Sequence, residues 1–202
     1  MTEDEARAIL RTRFGPAVEA RLEAFAAMVV AENAAQNLIA PSTIARIWGR
    51  HILDSLQLVA LAPRGRWLDI GTGGGFPGLA VAIATDLPMT LVEPRKRRAQ
   101  FLSDCVDRLQ LGHRVTVVGT RVANVDATAD VISARAVGSV DTLLGWAYRC
   151  ATPTTRWLLP RGKMDYPVLQ AAEGKWQFMF HVEQSLTDPE SRILILDGVR
   201  PR

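Results

Sequence analysis

The chain has 202 residues, 48% of them hydrophobic and 22% charged, with a net charge of +3. That is about one to two domains' worth of chain, enough to bury roughly 70% of the unfolded surface, so one main globular domain is expected. No apolar run approaches the roughly 18 residues a bilayer requires and the start, Met1-Thr2-Glu3-Asp4-Glu5, is acidic, which points away from secretion and membranes and toward the cytoplasm. Cys105 and Cys150 lack metal or redox spacing and read as inert buried thiols in a reducing compartment.

In chain order, the first 60 or so residues read as helical. Ile9, Leu10 and Phe14 share one face, Gly15-Pro16 breaks the run, and Val18, Leu22, Phe25, Ala26, Val29 and Val30 resume it. Residues 33–41 read as a connection. Ser42 is placed to cap a third helix carrying Ile44, Ile47, Trp48, Ile52, Leu56 and Val59, ending near Ala62-Pro63. From Arg66 strand and helix patterns alternate, with strands near 66–70, 89–93, 114–118, 129–133 and 155–159 and helices near 76–85, 95–109 and 139–150. Alternation of this kind implies an α/β protein, a mostly parallel sheet with helices on both faces. Residues 176–183 and 191–197 read as two further strands, an antiparallel pair closing one edge of a seven-stranded sheet. The expected organisation is a helical N-terminal extension, 1–63, packed on a core of residues 64–202.

The most informative stretch runs from Arg66 to Gly78, where an apolar strand enters Gly71-Thr72-Gly73-Gly74-Gly75-Phe76-Pro77-Gly78. Glycines remove Cβ atoms where the backbone turns sharply and approaches a ligand, and Pro77 suits the first turn of a following helix, whose N-terminus would carry that ligand. Two ligand classes use this shape. From Gly73 the run satisfies G-x-G-x-x-G, the dinucleotide fingerprint of a nicotinamide-dependent oxidoreductase. From Asp69 it is an acidic residue followed by G-x-G-x-G, which resembles the first motif of class I S-adenosylmethionine (SAM) methyltransferases. The second reading is favoured, because an anionic side chain suits a sulfonium and an amino group and repels a pyrophosphate. Glu93, closing the second strand, is where either class binds ribose hydroxyls.

Ligands of such a sheet sit outside the carboxyl ends of the strands. The loops there offer Arg121, Arg135, Arg161 and Lys163, cations with no reason to gather around a cationic cofactor unless the second substrate is a polyanion such as RNA or DNA. Residues 1–32 balance to −2, leaving +5 for the remainder, and only three of the 24 basic residues are lysines. Arginine is the better bidentate partner of phosphate.

Arg50-His51-Ile52-Leu53-Asp54-Ser55, followed by Leu68-Asp69-Ile70-Gly71-Thr72-Gly73-Gly74-Gly75-Phe76-Pro77-Gly78, resembles the bacterial small-subunit ribosomal RNA guanine-N7 methyltransferases of the GidB (RsmG) type. The likeness continues through Arg97-Arg98 with Phe101-Leu102, Thr120-Arg121-Val122 and Ser133 with Arg135-Ala136, and covers roughly residues 33–197. It implies a class I, Rossmann-like methyltransferase fold, SAM as methyl donor, and N7 of a guanosine in the 530 loop of 16S rRNA, nucleotide 527, as acceptor. It places Asp69, Gly71, Thr72, Gly73, Gly75, Phe76, Glu93, Val122 and Arg135 around SAM. His51, Arg121, Arg135 and Arg161 would be catalytic, and Arg50, Arg97, Arg98, Arg161, Lys163 and Arg192 would hold RNA. The chain departs from the pattern at Pro160-Arg161-Gly162, where the family reads Leu-Lys-Gly, and Arg192 aligns only after a one-residue shift.

Guanine N7 bears a lone pair and no proton, so transfer needs alignment and no base, and alignment is worth up to roughly 7–11 kcal/mol. The fourth strand ends in Ser133-Ala134-Arg135, with neither an Asn-Pro-Pro-Tyr nor a Pro-Cys type motif, which disfavours amino-group and cytosine-carbon chemistry. The expected partner is 16S rRNA in a small subunit or assembly intermediate, met by a monomer without metal. A SAM methyltransferase for another RNA, an oxidoreductase and a non-catalytic RNA-binding protein are the competing readings.

Overall fold

The computed structural model describes residues 1–162 and 166–202. Helix α1 (Glu3–Phe14) opens with a capping box, Thr2 and Glu5 each accepting the other's backbone N–H, and ends at Gly15. Helix α2 (Pro16–Gln36) starts with proline in its first turn and stops at Asn37, whose φ of 47° is left-handed. Glu19 on α2 is buried, and Arg7 and Arg11 of α1 hold its carboxyl below the usual carboxylate range, pinning the two helices together.

The expected third helix is a composite. Residues Pro41–Arg46 form a 3₁₀ turn, Trp48–Leu53 a π-helix, Asp54–Leu56 a single α-turn (α3), and Gln57–Leu61 a second 3₁₀ stretch. The segment is held by a tertiary contact at the start of the π-helix, where the N–H groups of Trp48 and Gly49 donate to the Glu3 carboxylate at 2.9 Å each. Ser42 caps nothing; it lies inside the first turn, which begins after Ala40.

The sheet strands are β1 (Trp67–Ile70), β2 (Met89–Val92), β3 (Val115–Val118), β4 (Ala129–Ala134), β5 (Ala151–Arg161), β6 (Trp176–Gln184) and β7 (Arg192–Pro201). They lie in the order β3-β2-β1-β4-β5-β7-β6, with β1 to β5 parallel and β7 antiparallel to both neighbours. The closing antiparallel pair expected from the tail is therefore present. β1 is buried along its whole length, as a central parallel strand covered on both faces must be.

Helices α4 (Gly78–Ala84) and α5 (Lys96–Arg108) join the N-terminal helices on one face. Phe25, Ile52, Leu79 and Leu102 share that single apolar cluster, so the first 61 residues and the sheet have a common core. Helices α6 (Val140–Ala147) and α7 (Tyr166–Glu173) lie on the other face, over Leu68, Ile132, Trp157 and Leu196. The strand and helix pattern did not anticipate α7, which is short and has proline as its second residue. Cys105 and Cys150 are free and buried, and burial pushes the Cys105 thiol up to about 12.

Candidate functional site

A cavity of about 700 Å³ opens at the carboxyl ends of the parallel strands, within the range of small-ligand sites. Its floor is the loop after β1. Gly73 has φ 58°, and a Cβ built there would meet nothing nearer than the tip of Arg98 at 3.7 Å, so the absent side chain leaves room for a ligand to reach the backbone. Gly78 serves a different purpose. Its missing Cβ would stand 2.6 Å from Asp69 Cβ and Leu91 Cδ2, so glycine lets α4 sit directly on the strands.

Two expectations about this loop are corrected. Pro77 is the cap preceding α4 rather than a residue of its first turn. The helix N-terminus meets the protein's own carboxylate rather than a ligand, because the Gly78 N–H donates to Asp69 Oδ2 at 3.0 Å. Asp69 is fully buried and absent from the cavity wall; its Oδ1 accepts from Ser133 Oγ at 2.6 Å, and Ser133 accepts from Trp67 Nε1 at 2.8 Å. Burial raises the Asp69 carboxyl to about 6 against the lowering effect of those hydrogen bonds. It buttresses the glycine loop from behind. Glu93 is the acid on the wall, accepting from the Gly73 and Arg95 N–H groups at 2.9 Å each.

The same cavity is lined by six arginines, Arg50, Arg95, Arg98, Arg135, Arg161 and Arg192, which make a cationic wall. Arg135, just after β4, donates through Nη1 to Asp54 Oδ2 at 3.0 Å and to the Arg50 carbonyl at 3.3 Å, and through Nη2 to His51 Nδ1 at 3.0 Å. Its guanidinium lies 5.4 Å from the centre of the Phe76 ring. Because Nδ1 accepts from a guanidinium, His51 carries its proton on Nε2, which donates to Thr43 Oγ1 at 2.8 Å. Burial, then the charges of Arg135 and Arg50, depress the imidazole to about 3, so it is neutral. Asp54 Oδ1 accepts from Gln57 Nε2 and Thr187 Oγ1 at 2.9 Å each, tying the site to the β6–β7 turn. Asp188 of that turn pairs with Arg50 at 3.0 Å. Arg161 donates Nη1 to the Gly138 carbonyl at 2.8 Å; its Nε and Nη2 are buried with no acceptor among the described residues, and burial lowers its pKa.

The structure thus brings His51, Arg50, Gly71, Thr72, Gly73, Phe76, Glu93, Arg98, Arg135, Arg161 and Arg192 to one cavity, and leaves others outside it. Arg121 is exposed at the start of the 3₁₀ turn Val122–Asn124, and Val122 is packed into the core under α6. Gly75 lies behind the floor, where a Cβ would collide with Phe25 at 2.5 Å. Arg97 and Arg98 donate to the Ala35 and Asn37 carbonyls at 3.3 and 3.1 Å, two cations at the carboxyl end of α2 that hold it against α5. Lys163 lies outside the described residues. Sequence reasoning missed Thr43, Gln57, Thr187 and Asp188 as partners of the site, none of which carried a signal; Arg95, first of the basic run Arg95-Lys96-Arg97-Arg98 that reads as a candidate for phosphate binding, does line the cavity. Among the described residues no cluster of His, Cys, Asp and Glu could hold a metal ion, and no helix is long and apolar enough to cross a membrane.

A seven-stranded sheet with β7 inserted antiparallel between β5 and β6, a glycine loop after β1 and an acid ending β2 define the class I SAM-dependent methyltransferase fold. The solved structure of the mitomycin 7-O-methyltransferase is similar over 97% of this chain and 72% of that one, with a TM-score of 0.60 at 16% identity. Residues 18–193 match the family described as rRNA small subunit methyltransferase G, and the chain belongs to that family. Similar relatives bearing the name ribosomal RNA small subunit methyltransferase G include one from Rhizorhabdus wittichii, 45% identical over all of this chain and 95% of its own length. Another, from Sphingopyxis alaskensis, is 47% identical over 97% of this chain and 86% of its own. Membership makes this a SAM-dependent rRNA methyltransferase and removes the oxidoreductase reading of the glycine loop.

Proposed function

We propose that the protein transfers a methyl group from SAM to N7 of a guanosine in the 530 loop of 16S rRNA, nucleotide 527. The observation that carries the reading is the convergence of six arginines on the same cavity as the glycine loop and Glu93. The residues present fit the cofactor: Gly73 leaves open space for a close approach, and Glu93 supplies a carboxylate for ribose hydroxyls. When bound, SAM supplies an electrophilic methyl on a sulfonium.

The chain's own residues then have three tasks. Gly71, Thr72 and Gly73 hold the methionine end, with Asp69 keeping their loop in place from beneath. Arg50, Arg161 and Arg192 bind RNA phosphates and so align the base, and Arg135 does so at the centre of the wall. No residue has to remove a proton. Both His51 nitrogens are already in hydrogen bonds, and the oxygens of Asp54 and Glu93 accept from neighbouring groups, which suits an acceptor carrying a free lone pair. The product purine is cationic, and Asp54 beside Arg135 offsets part of the charge it meets. Residues 1–63 act as an extension packed on the core of residues 64–202, and the working unit is a monomer in the cytoplasm.

The test is transfer of labelled methyl from SAM to small ribosomal subunits lacking the mark, with free rRNA, DNA and no-acceptor controls. Label is expected in 16S rRNA as 7-methylguanosine at nucleotide 527. Label in another RNA, or on another atom, would overturn the acceptor assignment while leaving the class intact.

A further inference from the structure

His51 sits where a proton-transferring or substrate-binding group would be expected, yet its bonding leaves nothing free for either task. Nδ1 accepts from Arg135 Nη2, Nε2 donates to Thr43 Oγ1, and Thr43 passes its own hydroxyl proton to the Ala40 carbonyl at 2.7 Å. One ring face rests near Phe76, centroid to centroid 5.1 Å. The more revealing side is Arg135. A guanidinium has five N–H groups. Three of those on Arg135 are taken, two on Nη1 by Asp54 and the Arg50 carbonyl and one on Nη2 by His51. The remaining two, Nε–H and the second Nη2–H, have no acceptor among the described residues, and Nε and Nη2 share one edge of the guanidinium. That edge matches two non-bridging oxygens of one phosphodiester.

We infer that His51 is a positioning residue, a neutral hydrogen-bond acceptor that turns Arg135 so that its Nε/Nη2 edge grips one phosphate of the substrate RNA. Asp54 and the Arg50 carbonyl fix one corner of the guanidinium and His51 a second, so the plane cannot rotate about its own axis. A phosphate is favoured over guanine because a fork on the base would take O6 and N7 together, whereas N7 must keep its lone pair for the methyl group, and because a guanidinium placed on the base would oppose the positive charge that methylation creates. The charged groups facing His51 agree with a neutral ring: Arg135 after β4 and Arg50 on its own π-helix disfavour a third cation, while Asp54 and Asp188 are committed to those two arginines. The Pro41–Arg46 turn presents Thr43, and the glycine loop presents Phe76.

This inference rests on the rRNA methylation reading, and a substitution series separates the two. Asparagine places a carboxamide oxygen where Nδ1 stands, glutamine reaches the Nε2 position, and alanine reaches neither. His51→Asn is expected to bind substrate RNA within about threefold of the unchanged protein, whereas His51→Gln and His51→Ala should bind about tenfold more weakly, the size of one oriented charge-assisted hydrogen bond. In an Arg135→Lys background, which keeps the charge and removes the fork, His51→Ala should cause no further loss. The single-turnover rate of the unchanged protein should show no limb between pH 6 and 7. Equal loss in the Asn and Ala variants, an additive loss in the Arg135→Lys background, or a limb near pH 6.5 that His51→Asn removes would each overturn the positioning role. Failure of the unchanged protein to methylate rRNA would instead overturn the functional reading. SAM binding and thermal unfolding of each variant show whether it has folded.

Discussion

At the scale of single residues, the site is governed by two buried titratable groups whose pKa values burial moves in opposite directions. His51 is neutral because burial and two arginines depress it to about 3; Asp69 is held near 6 by burial although three hydrogen bonds favour its charge. For His51 the consequence for stability has a definite sign. Between its unfolded value near 6.5 and its folded value near 3, the unfolded chain binds the proton and the folded chain does not. Stability is therefore lost as pH falls through that window, at up to about 1.4 kcal/mol per pH unit from this group. Asp69 acts in the opposite sense, stability falling as pH rises from about 4 toward 6, and partly masks the trend. Melting temperature measured from pH 7 to 4 should decline less steeply in His51→Asn than in the unchanged protein. Parallel profiles would mean that His51 takes up its proton as readily in the fold as in the unfolded chain.

At the scale of elements, the glycine loop works because β1 and α4 touch. Glycine at position 78 brings α4 against Asp69 and Leu91, and the same residue's N–H is the one the Asp69 carboxylate takes. Gly78→Ala should therefore destabilise the protein by about 1–3 kcal/mol through overpacking, and disturb the loop enough to weaken SAM binding. Gly112→Ala, whose Cβ meets nothing within 4 Å, is the matched control and should be close to neutral. Urea denaturation of the two variants, with SAM titrated by calorimetry, checks this; equal stabilities would mean that α4 can move away. The segment that carries His51 depends on a different contact, since Glu3 of α1 takes the Trp48 and Gly49 N–H groups. Likewise Arg97 and Arg98 of α5 hold the end of α2.

At the scale of the whole molecule, a net charge of +3 understates what a polyanion meets, because six arginines line one cavity while the acids of residues 1–32 lie on other helices. If three to six phosphates are engaged, the logarithm of RNA affinity should fall with the logarithm of salt with a slope of about −2 to −4. A slope near zero would show that the arginine wall is not the RNA face. The alternation of strands and helices, the antiparallel closing pair and the glycine loop were legible in the chain because each rests on local signals: period, punctuation by Gly and Pro, and backbone conformations that only glycine adopts readily. The same signals placed Glu93, Arg135 and Arg161 at strand ends and hence in the cavity. What the tertiary structure alone decided concerns residues whose partners lie far along the chain. Asp69 reads as a cofactor group, and in the fold its oxygens accept from the Gly78 N–H and from Ser133 Oγ; His51 reads as a catalytic residue, and in the fold Arg135, 84 residues away, donates to its Nδ1. Arg121 reads as a site residue, and the fold places it exposed after β3, outside the cavity lining. Composition and spacing specify which groups a chain owns and which backbone shapes it can take; which hydrogen bond each buried group makes depends on packing between distant segments, and that decides its protonation and its role.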